Sequence, residues 1–309
     1  MKQILFATPP YLSFGQQIAD VLNAKMGIVN EKTFPDGERY QRILDDVQGS
    51  NVILVGGSIN DLETLRIYDL ACALTKYGAH RLDLVMPYYA YSTMERAVYP
   101  GDVVTAKTRA RLFSSIPPAV CGNHIFLVDL HSEGIPHYFE GDITATHLSS
   151  KKLLVQTIKS VAEHDFVLGS TDAGRAKSVE ALANEMGAEA ALILKRRVND
   201  RETEVIGVNA NVKDRQVVIY DDMIRTGSSL IHAAKAYQQA GAKELIAVCS
   251  HGVFPENSYD KIVDSGLFSK IFATDSHPNA IELSKRTKNP LGIIPLASMF
   301  AQSLIKNIY

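Results

Sequence analysis

Short, near-continuous apolar runs alternate along this sequence with longer segments of helical period. The runs fall at 52–55, 82–86, 125–128, 166–168, 191–194, 217–220, 245–248 and 271–273. Most are β-branched and lack polar alternation, the pattern of strands covered on both faces. Helical segments lie between them at about 61–77, 105–115, 149–163, 174–186, 228–240 and 296–307. Asp61 with Thr64, and Thr226-Gly227-Ser228 before Leu230, read as helix starts. Gly78, Gly187 and Gly241 stand where a left-handed helix cap needs glycine. This alternation predicts an α/β fold built on mainly parallel sheet flanked by helices.

A chain of 309 residues suggests about two domains. A fresh α/β series after Gly141 and Ser149-Ser150 places the break near 143–150, giving domains 1–147 and 148–295. The final helix, 296–309, is expected to pack back on the first. Two segments break the rhythm. Residues 34–43 read as a turn and strand outside the regular alternation. Residues 195–213 are polar and weakly patterned, which predicts a flexible loop or flap.

With 32 Lys and Arg against 34 Asp and Glu, the formal charge is −2, which argues against a strongly basic nucleic-acid binder. No apolar run reaches membrane-spanning length. Met1-Lys2-Gln3, a short strand-like segment and Pro9-Pro10 leave no room for a signal-peptide core. Cys72, Cys121 and Cys249 lie far apart without metal-ligand spacing. They are expected to be buried free thiols in a reducing, cytoplasmic compartment.

The most specific signal is Val217-Val218-Ile219-Tyr220-Asp221-Asp222-Met223-Ile224-Arg225-Thr226-Gly227-Ser228-Ser229: a buried strand, two carboxylates, a short hydroxyl-rich loop, then a helix. Amides at a helix start point outward with partial positive charge and bind phosphate. Thr226, Ser228 and Ser229 add hydroxyl donors. Asp221 and Asp222 suit sugar hydroxyls or a Mg²⁺-bound water. The bland alternative is an acidic strand end beside a capped helix.

This loop resembles the phosphoribosyl-pyrophosphate (PRPP) loop of type I phosphoribosyltransferases and PRPP synthases. Five further blocks resemble ribose-phosphate pyrophosphokinases in family order: Phe34-Pro35-Asp36-Gly37-Glu38; Pro87-Tyr88-Tyr89-Ala90-Tyr91 with Thr105-Ala106-Lys107; Asp129-Leu130-His131; Ser170-Thr171-Asp172-Ala173-Gly174-Arg175-Ala176-Lys177; and Lys195-Arg196-Arg197. The resemblance spans residues 34 to 229. It implies two type I phosphoribosyltransferase-like domains and transfer of the pyrophosphoryl group of Mg²⁺-ATP to ribose 5-phosphate. Lys195 and Arg196 would be catalytic, reaching in from a mobile loop. Phe34, Asp36, Glu38, Arg96 and His131 would bind ATP, the 34–38 loop reaching adenine from a neighbouring subunit of a homo-oligomer. His131 and Asp172 would serve the metal. Asp221, Asp222, Arg225, Thr226, Gly227, Ser228 and Ser229 would hold ribose 5-phosphate.

The chain also departs from the family pattern. Thr93 and Met94 stand where an Arg and a Gln contact ATP, while Arg96 keeps its type. Arg225 replaces a loop Asp, Ser228 a second loop Gly, and Arg175 a glycine of the Asp-Ala-Gly block. Gln48 and Tyr99 stand where phosphate-activated members carry arginines, which predicts weak or no activation by phosphate. The competing readings are a nucleotide-binding regulatory homologue, a phosphoribosyltransferase, and a pyrophosphokinase with a changed donor or acceptor. The remaining histidines read as structural, with His137 and His147 undecided. Asp275, at a strand end, either faces the sugar-phosphate or caps a turn.

Overall fold

A computed structural model describes residues 2–197 and 203–308. The chain forms two compact units, Met1–Ser149 with Leu296–Tyr309, and Ser150–Pro295.

In the first unit, β1 (Gln3–Ala7), α1 (Leu12–Leu22), β2 (Lys25–Met26), β3 (Val29–Thr33), β4 (Arg39–Ile43), β5 (Asn51–Val55), α2 (Asp61–Lys76), β6 (Arg81–Met86), α3 (Thr105–Ser114), β7 (Asn123–Val128) and β8 (Ile143–Leu148) follow in order. A six-stranded sheet runs β2-β1-β5-β6-β7-β8, parallel throughout. Its central strands are buried on both faces, which is why they carry no polar alternation. The 34–43 segment, expected as a turn and strand, is the second arm of a separate antiparallel hairpin, β3 with β4.

The second unit contains α4 (Lys151–Val161), β9 (Val167–Ser170), α5 (Ala176–Met186), β10 (Glu189–Ala191), β11 (Ile193–Arg197), β12 (Thr203–Val208), β13 (Gln216–Ile224), α6 (Ser228–Gln239), β14 (Glu244–Gly252), α7 (Ser258–Asp264), β15 (Lys270–Thr274), α8 (Pro278–Ser284) and β16 (Gly292–Ile294). Its six-stranded sheet runs β10-β9-β13-β14-β15-β16, again parallel. The last helix, α9 (Ala297–Ile308), belongs to the first unit. There Phe300 meets Phe14 of α1 edge-on at 5.9 Å, and Arg81 donates to the Asn307 carbonyl at 2.6 Å.

Gly78, Gly187 and Gly241 do take left-handed backbone, with φ of +90°, +70° and +94°. Two expectations are corrected. The run 191–194 is not one strand but the junction of β10 and β11, and the following segment is not a loop throughout. β11 and β12 form an antiparallel hairpin, with Lys195 opposite Val205 and Arg196 opposite Glu204; residues 198–202 lie outside the described residues. Of the cysteines expected to be buried, Cys249 is, Cys72 is half-buried and Cys121 is exposed. Cys121 lies in the connection between α3 and β7.

Candidate active site

Residues that follow parallel strands gather at the carboxyl edge of each sheet, where α/β proteins place their ligands. In the second unit β13 lies between β9 and β14, with Tyr220 level with Ser170 and Asp221 level with Cys249. That pairing brings two sequence blocks together. The Thr171 hydroxyl donates to Asp221 Oδ2 at 2.8 Å, and the Asp222 amide donates to Asp221 Oδ1 at 2.9 Å. Arg175, on the short turn before α5, places Nη2 2.5 Å from Asp222 Oδ2 and Nε 3.6 Å from Asp221 Oδ1. Burial, and the neighbouring carboxyl of Asp222, push the Asp221 carboxyl up from its ordinary value; Thr171 and Arg175 pull the other way. The block resembling Asp-Ala-Gly is therefore the support of the diacid. Asp172 is half-buried and Lys177 exposed.

Beyond the diacid the chain turns through Arg225 and Thr226 into α6. Gly227 has φ +77°, and a Cβ there would lie 2.4 Å from Ile262 Cγ1, so both backbone and packing require glycine. Thr226 and Ser228 bring their hydroxyls within 3.3 Å of each other. Thr226, Ser228 and Ser229 are exposed at the start of a twelve-residue helix. Amides with this orientation, ringed by hydroxyls, bind an anion. Arg225 is exposed and donates to the Met223 thioether at 3.2 Å. Tyr237 of α6 ties that helix to β9 and β10: its buried hydroxyl lies 3.0 Å from the Ser170 carbonyl and 2.8 Å from that of Ala191.

Asp275, left open between a site and a turn, is buried, and the polar groups around it form a network. His251 Nδ1 lies 2.8 Å from the Ser276 hydroxyl, Thr274 donates to the Ser250 carbonyl at 2.5 Å, and His277 caps α8 by accepting from the Asn279 amide at 3.2 Å. Burial pushes His277 down to about 4, with the His251 charge adding to the effect.

In the first unit the block ending at His131 follows β7. Asp129 is left-handed, with φ +40°, and the next amide, Leu130, donates to His147 Nε2 at 3.0 Å. His147, undecided from sequence, thus holds the turn that presents the half-buried His131. Only the fold could reveal this, because β8 lies beside β7 with His147 level with Leu127. Phe34, Asp36 and Glu38 form the tip of the β3–β4 hairpin. Asp36 Oδ1 accepts from the Glu38 amide at 3.0 Å, and the Lys32 ammonium lies 4.5 Å from the centre of the partly exposed Phe34 ring. Arg96 is exposed, 3.5 Å from Glu95, and Met94 is exposed beside it. Tyr88, Tyr89 and Ala90 are buried, and Tyr89 donates to the Ala106 carbonyl at 2.8 Å, so that block serves packing. Lys195 and Arg196 lie on β11.

Among the described residues no group of three or more His, Cys, Asp and Glu could hold a metal, and no helix is long and apolar enough to cross a membrane.

Comparison with known proteins agrees with the fold. Over the whole chain the fold matches a crystal structure of phosphoribosylpyrophosphate synthetase from Mycobacterium smegmatis, covering 99% of that chain with a TM-score of 0.87 at 24% identity. Residues 4–116 match the N-terminal domain of ribose phosphate pyrophosphokinase, and residues 142–280 match the phosphoribosyl transferase domain. The ribose-phosphate pyrophosphokinase of Methanopyrus kandleri is 32% identical over 90% of this chain and 94% of its own. That of Campylobacter jejuni is 27% identical over 99% and 95%. The chain belongs to the ribose-phosphate pyrophosphokinase family.

Proposed function

We propose that this enzyme transfers the intact pyrophosphoryl group of ATP to the C1 hydroxyl of ribose 5-phosphate, giving PRPP and AMP. The observation that carries this reading is the joined arrangement of diacid and phosphate loop, with Thr171 on Asp221 and the loop of exposed hydroxyls opening α6. Carboxylates accept hydrogen bonds from sugar hydroxyls, and the helix start takes the 5-phosphate. Asp221 and Asp222 therefore orient the ribose ring, and Thr226, Gly227, Ser228, Ser229 and Arg225 hold its phosphate.

In the reaction the C1 oxygen bonds to the β-phosphorus while the bond from that phosphorus to the α,β-bridging oxygen breaks. The bridging oxygen leaves with AMP, and the hydroxyl proton passes to solvent. Such transfers depend on positioning and on cations near the phosphoryl oxygens. Lys195 and Arg196 supply that charge. Phe34, Asp36, Glu38, Arg96 and His131 bind ATP, the hairpin tip carrying Phe34 serving a neighbouring copy in a homo-oligomer.

Mg²⁺ takes oxygen ligands and, where phosphates are present, needs only one or two protein carboxylates. The half-buried Asp172 would suit that donor set, and His131 would serve the metal as the family resemblance implies. When bound, the ion neutralises charge on the phosphoryl oxygens. A phosphoribosyltransferase reading leaves the first unit without a role. Incubation with ATP, Mg²⁺ and ribose 5-phosphate tests the proposal: AMP and PRPP appear together, or the reading fails.

A further inference from the structure

Two neighbouring carboxylates in a half-buried site repel unless a proton or a cation lies between them. Asp221 and Asp222 meet that need within the chain. One guanidinium addresses both, at 2.5 Å from Asp222 Oδ2 and 3.6 Å from Asp221 Oδ1, and the Arg175 side chain is 18% exposed. The Asp222 amide and the Thr171 hydroxyl take the two oxygens of Asp221. We propose that Arg175 is the resident counter-cation of the sugar subsite, standing where a divalent ion would otherwise bridge the diacid, so that ribose hydroxyls bind there without metal.

The proposal rests on the reading of Asp221 and Asp222 as the ribose-hydroxyl acceptors. Its physical basis is that a guanidinium stays charged and presents a fork to carboxylates. A Mg²⁺ ion must approach carboxylate oxygens to about 2.0–2.1 Å, space that the Arg175 nitrogen against Asp222 already fills. Both carboxylates keep their acceptor character, and their net charge falls by one without a dissociable ion. Arg175 is then a positioning residue acting through the diacid. It makes the affinity for the sugar independent of the divalent-ion concentration and leaves any metal to the phosphate chain of the donor.

Calorimetric titration of the full-length protein with ribose 5-phosphate, without nucleotide, tests this. The titration is run once with EDTA and once with saturating MgCl₂. The wild-type dissociation constant is expected to agree within about twofold between the two. Arg175→Gly is expected to bind about tenfold or more weakly in EDTA, as loss of a charge-assisted contact implies, and to recover when Mg²⁺ is added. Arg175→Gln, which keeps most of the side chain's bulk, is expected to show the same metal response and serves if the glycine variant does not fold. A purely structural arginine would weaken binding equally in both buffers, and that result overturns the proposal. So does a wild-type affinity that rises tenfold with Mg²⁺. If the wild type binds no ribose 5-phosphate in either buffer, the sugar-site reading fails and this proposal with it.

Discussion

The Thr171 hydroxyl donates to Asp221 Oδ2 across 2.8 Å, joining residues fifty positions apart in the chain. Thr171 is fully buried, so valine fills its volume and removes only the donor. A hydrogen bond to a charged group contributes about 1.5–3 kcal/mol. Thr171→Val is therefore expected to raise the KM for ribose 5-phosphate by about tenfold or more, while the KM for ATP stays near its wild-type value. Steady-state kinetics with each substrate varied in turn check this.

The phosphate loop depends on Gly227. Alanine there must hold φ near +77° and push against Ile262 at 2.4 Å, a combined strain of about 2–4 kcal/mol. Gly187 has φ +70° with open space around its Cβ position, so its alanine variant carries only the backbone term of about 1–2 kcal/mol. Urea midpoints should rank wild type above Gly187→Ala and Gly187→Ala above Gly227→Ala. Only the Gly227 variant should also lose ribose 5-phosphate affinity.

Two buried histidines should each cost stability on mild acidification. His124 is pushed down to about 4 by burial and by the Arg81 charge; His277 is pushed down to about 4 as well. Both bind fewer protons folded than unfolded between about pH 6.5 and 4, so stability present above pH 6.5 is lost as pH drops through that window. Asp83, pushed up to about 6 by burial, acts in the opposite direction from pH 6 downward and offsets part of the loss in the first unit. In the second unit Asp221, pushed up to about 7 by burial and by Asp222, likewise acts in the opposite direction, so the His277 contribution is read from a substitution. His277→Asn should remove the loss that His277 itself adds to the second unit's urea midpoint on acidification. An unchanged slope would contradict this.

Much of the framework was legible because buried parallel strands have no polar alternation. The runs at 52–55 and 82–86 became β5 and β6 with little change, while that at 217–220 became β13, which continues through Asp221 and Asp222 to Ile224. Ile143–Leu148 escaped notice because this edge strand is only partly buried and reads as mixed polar sequence. The seven-residue helices Ser258–Asp264 and Pro278–Ser284 are too short for a period to show, and α1 gave no such signal behind Pro9-Pro10. In the site, the diacid and phosphate loop were legible because their chemistry is local in sequence. Arg175 was visible only as a departure from a motif; its placement on Asp221 and Asp222 depends on β9 lying beside β13. The hold of His147 on the Leu130 amide likewise arises between strands and leaves no mark in either segment alone.

Lys195 and Arg196 are assigned the charge that develops on the transferred group. If they act in the transition state, Lys195→Ala and Arg196→Ala should each lower kcat by about 10²–10³ while substrate KM values change little, as for loss of a transition-state donor. Equal losses in binding and turnover would place them in ground-state binding instead.

The most direct test of the central claim is a product assay with ATP, Mg²⁺ and ribose 5-phosphate, quantifying AMP and PRPP in the same sample. Pyrophosphoryl transfer predicts the two in equal amounts from the first turnover. ADP in place of AMP, or AMP without PRPP, would contradict it.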